Sequence, residues 1–241
     1  MTGTFDTLIL IGRPASGKSE IIDFLQHLTD VERRQRFHLA ELDILDDFPM
    51  LWAWFEEDAL LEKHFQRSRL HTDKEGYFIH EDLWHLLIER LDLDFHKRRR
   101  DDPNYSCQYT TLVEFSRGSE HGGYASAFPH FSDDLLGRAS VLYVQVSFEE
   151  SLRKNQLRFN PERPDSILEH GLPDEKMERL YKNVDWDFFS NPDPNFLQVR
   201  EGLIPYAVFE NDDDVTTNKP DLLAFRLEEC LEHLWQLHHG K

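Results

Sequence analysis

The chain has 241 residues, with 27 Lys and Arg against 46 Asp and Glu and a formal net charge of −19. That length suits one α/β domain with insertions or two small domains, and the negative field disfavours nucleic acid or an anionic membrane as the main partner. Cys107 and Cys230 stand far apart, outside any C-x-x-C pattern, which argues against a disulfide scaffold or a thiolate zinc site and suits a reducing compartment.

Neither a signal-peptide pattern nor an apolar stretch of membrane-spanning length is read from the sequence, so the expected location is cytoplasmic. Residues 7–11, Thr-Leu-Ile-Leu-Ile, read as a short buried parallel strand. Gly12-Arg13-Pro14-Ala15-Ser16-Gly17-Lys18-Ser19 follows and matches G-x-x-x-x-G-K-[ST]; Ile21, Ile22, Leu25 and Leu28 then mark one face of a helix to about residue 28. The motif therefore has the strand, loop and helix setting of a P-loop. Gly12 and Gly17 let the backbone take positive φ and bring N–H donors close to a phosphate chain at a helix N-terminus. Lys18 would place its charge on the β- and γ-phosphates and Ser19 its hydroxyl on Mg²⁺, so the whole loop is expected to bind a nucleoside triphosphate, ATP with Mg²⁺.

The basic run Arg33 to Arg36 reads as a solvated turn, and residues 37–40 as a second strand. At that strand's carboxyl end, next to the P-loop strand, a carboxylate would face the ligand crevice. Asp43 is the first candidate for a base or substrate hydrogen-bonder and Asp46 the second; the alternative is an acidic N-cap for the following helix.

Residues 49–100 form a helical insertion: an aromatic helix to Phe65, a turn at 71–76, and an amphipathic helix over 82–96. Trp52, Trp54, Trp84 and Tyr77 are candidates to cover an aromatic substrate, although aromatics at helical spacing more often build core. Lys97 to Arg100 complements the helix dipole as solvated surface.

Residues 110–115 read as the third strand, ending in Glu114, placed to hold Mg²⁺ or orient an acceptor. Arg117 would sit at the crevice and bind phosphate bidentately, in a loop kept permissive by Gly118, Gly122 and Gly123. His121 reads as a loop hydrogen-bonder. A helix over 132–137 and a fourth strand over 139–146 precede a helix carrying Arg153 and Arg158. With the Pro-rich break at 160–164 and a helix over 173–183, this makes a lid-like excursion, 153–185, bringing arginines over phosphates; surface charge is the alternative. Residues 185–194 read as a packed loop and 204–209 as the fifth strand. The acidic loop at 210–214, with Asn211, is expected to contact the nucleobase. A helix over 222–237 closes the chain. Asn218-Lys219-Pro220-Asp221 has the letters of the GTPase pattern N-K-x-D but reads as a helix start, with Pro220 at N1.

The 12–19 loop, Glu114-Phe115-Ser116-Arg117 after strand three, and Phe209-Glu210-Asn211-Asp212 after strand five together resemble the nucleoside and nucleotide kinase group of P-loop proteins, the adenylate kinase-like small-molecule kinases. The resemblance implies a three-layer α/β/α domain spanning 1–241 with a five-stranded parallel sheet in the order 2-3-1-4-5. It also implies an acceptor-binding insertion, a lid over ATP and a base-contacting loop after strand five. Adenylate kinases carry Asp-Gly-Phe-Pro-Arg where this chain has Glu-Phe-Ser-Arg, and deoxynucleoside kinases carry Glu-Arg-Ser, so the acceptor is not assigned by the resemblance. The expected activity is ATP- and Mg-dependent phosphoryl transfer to a small molecule such as a nucleoside or nucleotide. Lys18, Asp43, Glu114, Arg117, Arg153 and Arg158 would be catalytic, and Ser19 and Glu114 would hold the metal. The alternative activity is a regulatory NTPase that hydrolyses ATP or GTP as a switch.

Overall fold

The computed structural model describes residues 3–158 and 171–240. Among them six strands form one mixed, mostly parallel sheet in the order β2-β3-β1-β4-β6-β5. The strands are β1 (Thr7–Gly12), β2 (Glu41–Asp46), β3 (Tyr109–Phe115), β4 (Ala139–Gln145), β5 (Phe196–Val199) and β6 (Gly202–Glu210). Strand count and order thus differ from the expected five in the order 2-3-1-4-5. The difference is β5, which folds back on β6 as an antiparallel hairpin at the sheet edge. Its alternation of Leu197 and Val199, buried, with Phe196 and Gln198, more open, is a strand signature. Pro205 is tolerated in this edge hairpin, opposite Phe196.

Strand β1 runs between β3 and β4 and is buried along its whole length. Its alternate side chains serve two cores: Ile9 and Ile11 face Ile88, Leu91, Phe128 and Trp186, while Leu8 and Leu10 face Ile21, Leu25, Leu227 and Leu231. A fully apolar run is what burial on both faces of a parallel sheet demands.

The helices that frame the site are α1 (Lys18–His27), α2 (Asp30–Arg36), α3 (Phe48–Phe65), α4 (Leu83–Asp101), α5 (Phe148–Arg158), α6 (Asp174–Tyr181) and α7 (Pro220–His239). The basic run 33–36 is helical rather than a turn, because Thr29 and Glu32 make a reciprocal capping box in front of it. The second strand also starts later than expected. His38 takes a left-handed φ of 54°, which breaks the extended run, so Phe37 and Leu39 are buried as a connector and pairing begins at Glu41. Pro220 occupies the first turn of α7, as expected. Helices α3 and α4 occupy the predicted insertion, and α5 and α6 flank the part of the excursion that lies outside the described residues, 159–170. Among the described residues no helix is long and apolar enough to cross a membrane.

Candidate functional site

The 12–19 loop leaves β1 at Gly12 and enters α1 at Lys18. Gly17 takes φ 109°; a Cβ there would lie 2.5 Å from Asn211 Nδ2 and 2.7 Å from Thr216 Oγ1. Glycine is thus required twice over, for conformation and for space. Lys18 is buried, and its Nζ donates to the carbonyls of Gly12 (3.3 Å) and Arg13 (3.0 Å) and to Ser116 Oγ (2.9 Å). Glu114 Oε1 lies 3.9 Å from the same nitrogen. Burial pushes both Lys18 and Glu114 towards their neutral forms, more than their mutual attraction restores. Ser19 is exposed in the first turn of α1, and Ser16 Oγ is a buried hydroxyl without a partner among the described residues.

A cavity of about 1430 Å³ opens from this loop. Asp46, Asp47 and Glu114 stand at the carboxyl ends of β2 and β3, where Asp46 pairs in register with Glu114. Burial, reinforced by Glu114 and Asp47, raises the Asp46 carboxyl to about 7. The far wall is aromatic and comes from the insertion: Trp52, Phe55, Tyr77, Phe78 and Trp84. Trp54 instead belongs to the interior, stacked on His71 at 4.9 Å.

The structure brings together most of the expected residues and moves others. Residues Pro14, Ala15, Lys18, Ser19, Glu114, Arg117 and Arg158 line the cavity. Asp43 does not. It lies within β2 rather than after it, three residues before the strand end, where Tyr105 Oη (2.7 Å) and Arg98 hold its carboxylate. The late start of the strand hands the crevice position to Asp46 and Asp47. Arg117 is at the crevice but is not an open fork: it is 1% exposed, and Nη1 donates to Asp47 (2.7 Å) and the Ser116 carbonyl while Nη2 donates to the Trp84 carbonyl (3.0 Å).

Arg153 is also displaced from the expected role. Five residues of helix separate it from Arg158, roughly 140° around the axis, and its guanidinium pairs with Glu150 (2.6 Å) and Asp214 (2.9 Å). Arg158 turns to the loop side and meets Glu20 at 3.4 Å. Asn211 does not offer its amide to a nucleobase. Fully buried, it donates to the Ser16 carbonyl (2.7 Å) and Thr216 Oγ1 (2.9 Å) and accepts from the Val215 amide (3.0 Å), buttressing the loop. Arg13 buttresses it from the other side through the carbonyls of Val146, Tyr181 and Lys182.

Sequence reasoning missed Asp47, Ser116, Lys176 and Arg179. The last two reach the cavity from α6, Lys176 donating to the Gly76 carbonyl at 3.0 Å and Arg179 pairing with Glu120 at 2.7 Å. The signal for Asp47 was its place at the end of an acidic strand; nothing local marks the other three.

No protein-family model and no curated protein matches the chain. Among solved structures it is similar to a sugar kinase from Janibacter sp. HTCC2649, at 12% identity over 95% of each chain with a TM-score of 0.42. It is also similar to Chaetomium thermophilum Kti12 in complex with ADP-AlF3, at 12% identity over 95% of this chain and 97% of that one, TM-score 0.49. Shikimate kinase from Acinetobacter baumannii in complex with shikimate gives 11% identity over 97% and 93%, TM-score 0.38. With TM-scores below 0.5, these likenesses carry no inference about the function of this chain.

Proposed function

We infer that the protein is an ATP- and Mg-dependent phosphotransferase acting on a small-molecule acceptor. The observation that carries this reading is the continuity of one cavity from Lys18 and Ser19 to the aromatic wall of the insertion: a nucleotide on the loop leaves room for a second substrate facing its terminal phosphate. The 12–19 amides and Lys18 would stabilise charge on the γ-phosphoryl group, and Arg158 would add a cation from α5. Ser19 and Glu114 supply a hydroxyl and a carboxylate, donors suited to Mg²⁺ shared with phosphate oxygens and water. When bound, the ion would neutralise charge on the β- and γ-phosphates.

Asp46 takes the role first sought at Asp43. The acceptor oxygen forms a bond to the γ-phosphorus while the bond from that phosphorus to the β–γ bridging oxygen breaks. ADP leaves with the electron pair, and the hydroxyl proton passes to the Asp46 carboxylate. Asp47, held by Arg117, keeps the crevice floor in place. A regulatory switch would not need the aromatic second half of the cavity, which is why transfer is the preferred reading.

The test is ATP consumption against a panel of nucleosides, nucleotides, sugars and vitamin-like alcohols, with Lys18→Ala as control. Acceptor-dependent turnover is expected in the natural protein and its loss in Lys18→Ala, whose Tm should stay within a few degrees. Unchanged turnover in the variant, or nucleotide hydrolysis that no acceptor stimulates, would refute the reading; GTP selectivity in thermal shift would favour the switch.

A further inference from the structure

We propose that the acceptor is an uncharged heteroaromatic alcohol, its ring against the aromatic wall and one of its acceptor atoms on His121 Nε2–H, and that it is not a phosphate ester. The proposal rests on the phosphotransferase reading of the cavity and narrows it to a substrate class.

His121 lines the cavity and is 5% exposed. Its Nδ1 takes the Gly118 amide at 3.4 Å, so the neutral ring carries its proton on Nε2. Burial, with a smaller contribution from Arg117, lowers its pKa to about 3, which keeps the ring neutral. Nε2 is buried and has no hydrogen-bond partner among the described residues. A buried donor without a partner is costly, and it points to a partner that arrives with the ligand. The ring is held for that task. It stacks on Trp84 with centroids 3.8 Å apart and planes 19° apart, and Tyr181 closes on it edgewise at 5.3 Å. Phe78 meets the other partner of the stack, Trp84, at 4.7 Å. Such a wall offers a flat ring stacked and edge-to-face contacts.

Charge decides the second half. A phosphate ester in this part of the cavity would need cations to receive it, and most of the described donors already carry partners, with only the Nε–H of Arg117 buried and unpaired. Asp47 takes Nη1 of Arg117 and the Trp84 carbonyl takes its Nη2. Arg179 pairs with Glu120 and lies 4.2 Å from the centroid of the Tyr77 ring. Lys176 donates to the Gly76 carbonyl and sits 4.9 Å from the same centroid. Asp46, Asp47 and Glu114 border the same space, so a second anion beside them would meet like charge in a partly desolvated setting. An uncharged alcohol meets no such barrier, and its hydroxyl can approach the Asp46 carboxylate.

The experiment uses the full-length protein saturated with Mg·AMP-PNP, titrated calorimetrically with matched pairs: adenosine and AMP, thymidine and TMP, pyridoxine and pyridoxine 5′-phosphate. At least one uncharged member is expected to bind, at least tenfold tighter than its ester. His121→Phe keeps an aromatic ring and removes the donor, and should weaken that alcohol about tenfold, the worth of one such hydrogen bond. His121→Gln retains an N–H donor and should recover most of the loss. Tighter binding of the esters, no binding by any of the three alcohols, or equal loss in His121→Phe and His121→Gln would overturn the proposal. Failure of the natural protein to bind Mg·AMP-PNP at all would instead refute the phosphotransferase reading itself, so the two failures are distinguishable.

Discussion

Replacing Asn211 by alanine separates two accounts of the loop after β6. The Asn211 side chain is fully buried and makes four contacts: to the Ser16 carbonyl (2.7 Å), to Thr216 Oγ1 (2.9 Å), and from the amides of Val215 (3.0 Å) and Thr216 (3.4 Å). Truncation removes a donor from the Ser16 carbonyl and strands the Val215 amide, each a buried group worth roughly 1–3 kcal/mol when left unpaired. Allowing for partial relaxation, the cost is about 3 kcal/mol, which for a chain of this size lowers Tm by about 6–12 °C. Because Ser16 is part of the phosphate loop, Mg·ATP and Mg·GTP should weaken together. Differential scanning fluorimetry gives the first quantity and titration with fluorescent ATP and GTP analogues the second. A Tm within about 2 °C of the natural protein, combined with an altered preference between ATP and GTP, would refute the buttress and restore Asn211 as a nucleobase contact.

Asp43→Asn should leave acceptor-dependent turnover within about twofold, since its partners are Tyr105 and Arg98, whereas Asp46→Asn should lower kcat by about 10²–10⁴, the usual worth of a general base; steady-state kinetics with the acceptor from the panel decides, and the reverse pattern would return the base to Asp43. Asp58 is a separate, structural carboxylate. Burial raises its pKa, but the Leu70 amide, the Thr72 hydroxyl and the amides of His71 and Thr72 outweigh that and hold it at about 2. Its folded pKa lies below the unfolded one, so the stability it contributes is present above about pH 4 and is lost as pH falls towards 2. In Asp58→Asn, Tm at neutral pH should fall by several degrees and decline less between pH 4 and 2; an unchanged acid limb of the Tm profile would show that the carboxylate's ionisation is not involved.

What was legible in the sequence is what the chain makes locally. The β1 run, the 12–19 loop and the first turns of α1 are adjacent residues whose types state their roles, and Glu114 closes an apolar strand in plain view. The errors came from geometry that adjacent letters do not carry. One left-handed residue, His38, delays β2, and with it the acid that faces the crevice changes from Asp43 to Asp46. Arg117 looks like an open phosphate ligand until Asp47, 70 positions earlier, is found on its Nη1. Arg153 and Arg158 look equivalent until the helical period sends them to different faces. The hairpin strand β5 is only four residues long and is stabilised by its pairing with β6 more than by its own composition.

The same distinction explains how an acidic chain keeps a phosphate loop in shape. The motif supplies donors and a lysine, but the loop's conformation is imposed from outside it, at three points. Ser151 Oγ donates to the Pro14 carbonyl at 2.7 Å, Asn211 holds the Ser16 carbonyl, and the Arg13 guanidinium spans the Val146 carbonyl after β4 and the carbonyls of Tyr181 and Lys182 at the end of α6. Each anchor ties the loop to a different element, so the loop amides are pre-oriented before any anion arrives, and orientation cost is met on folding rather than on binding. The Arg13 anchor has a further consequence. It ends on the helix that carries Lys176, Arg179 and Leu180 to the cavity wall, and Gly118 packs so closely on the Leu180 carbonyl that a Cβ there would clash with it. The loop end and the aromatic end of the cavity are therefore built on one continuous set of contacts, running from Arg13 through α6 to the loop that bears His121.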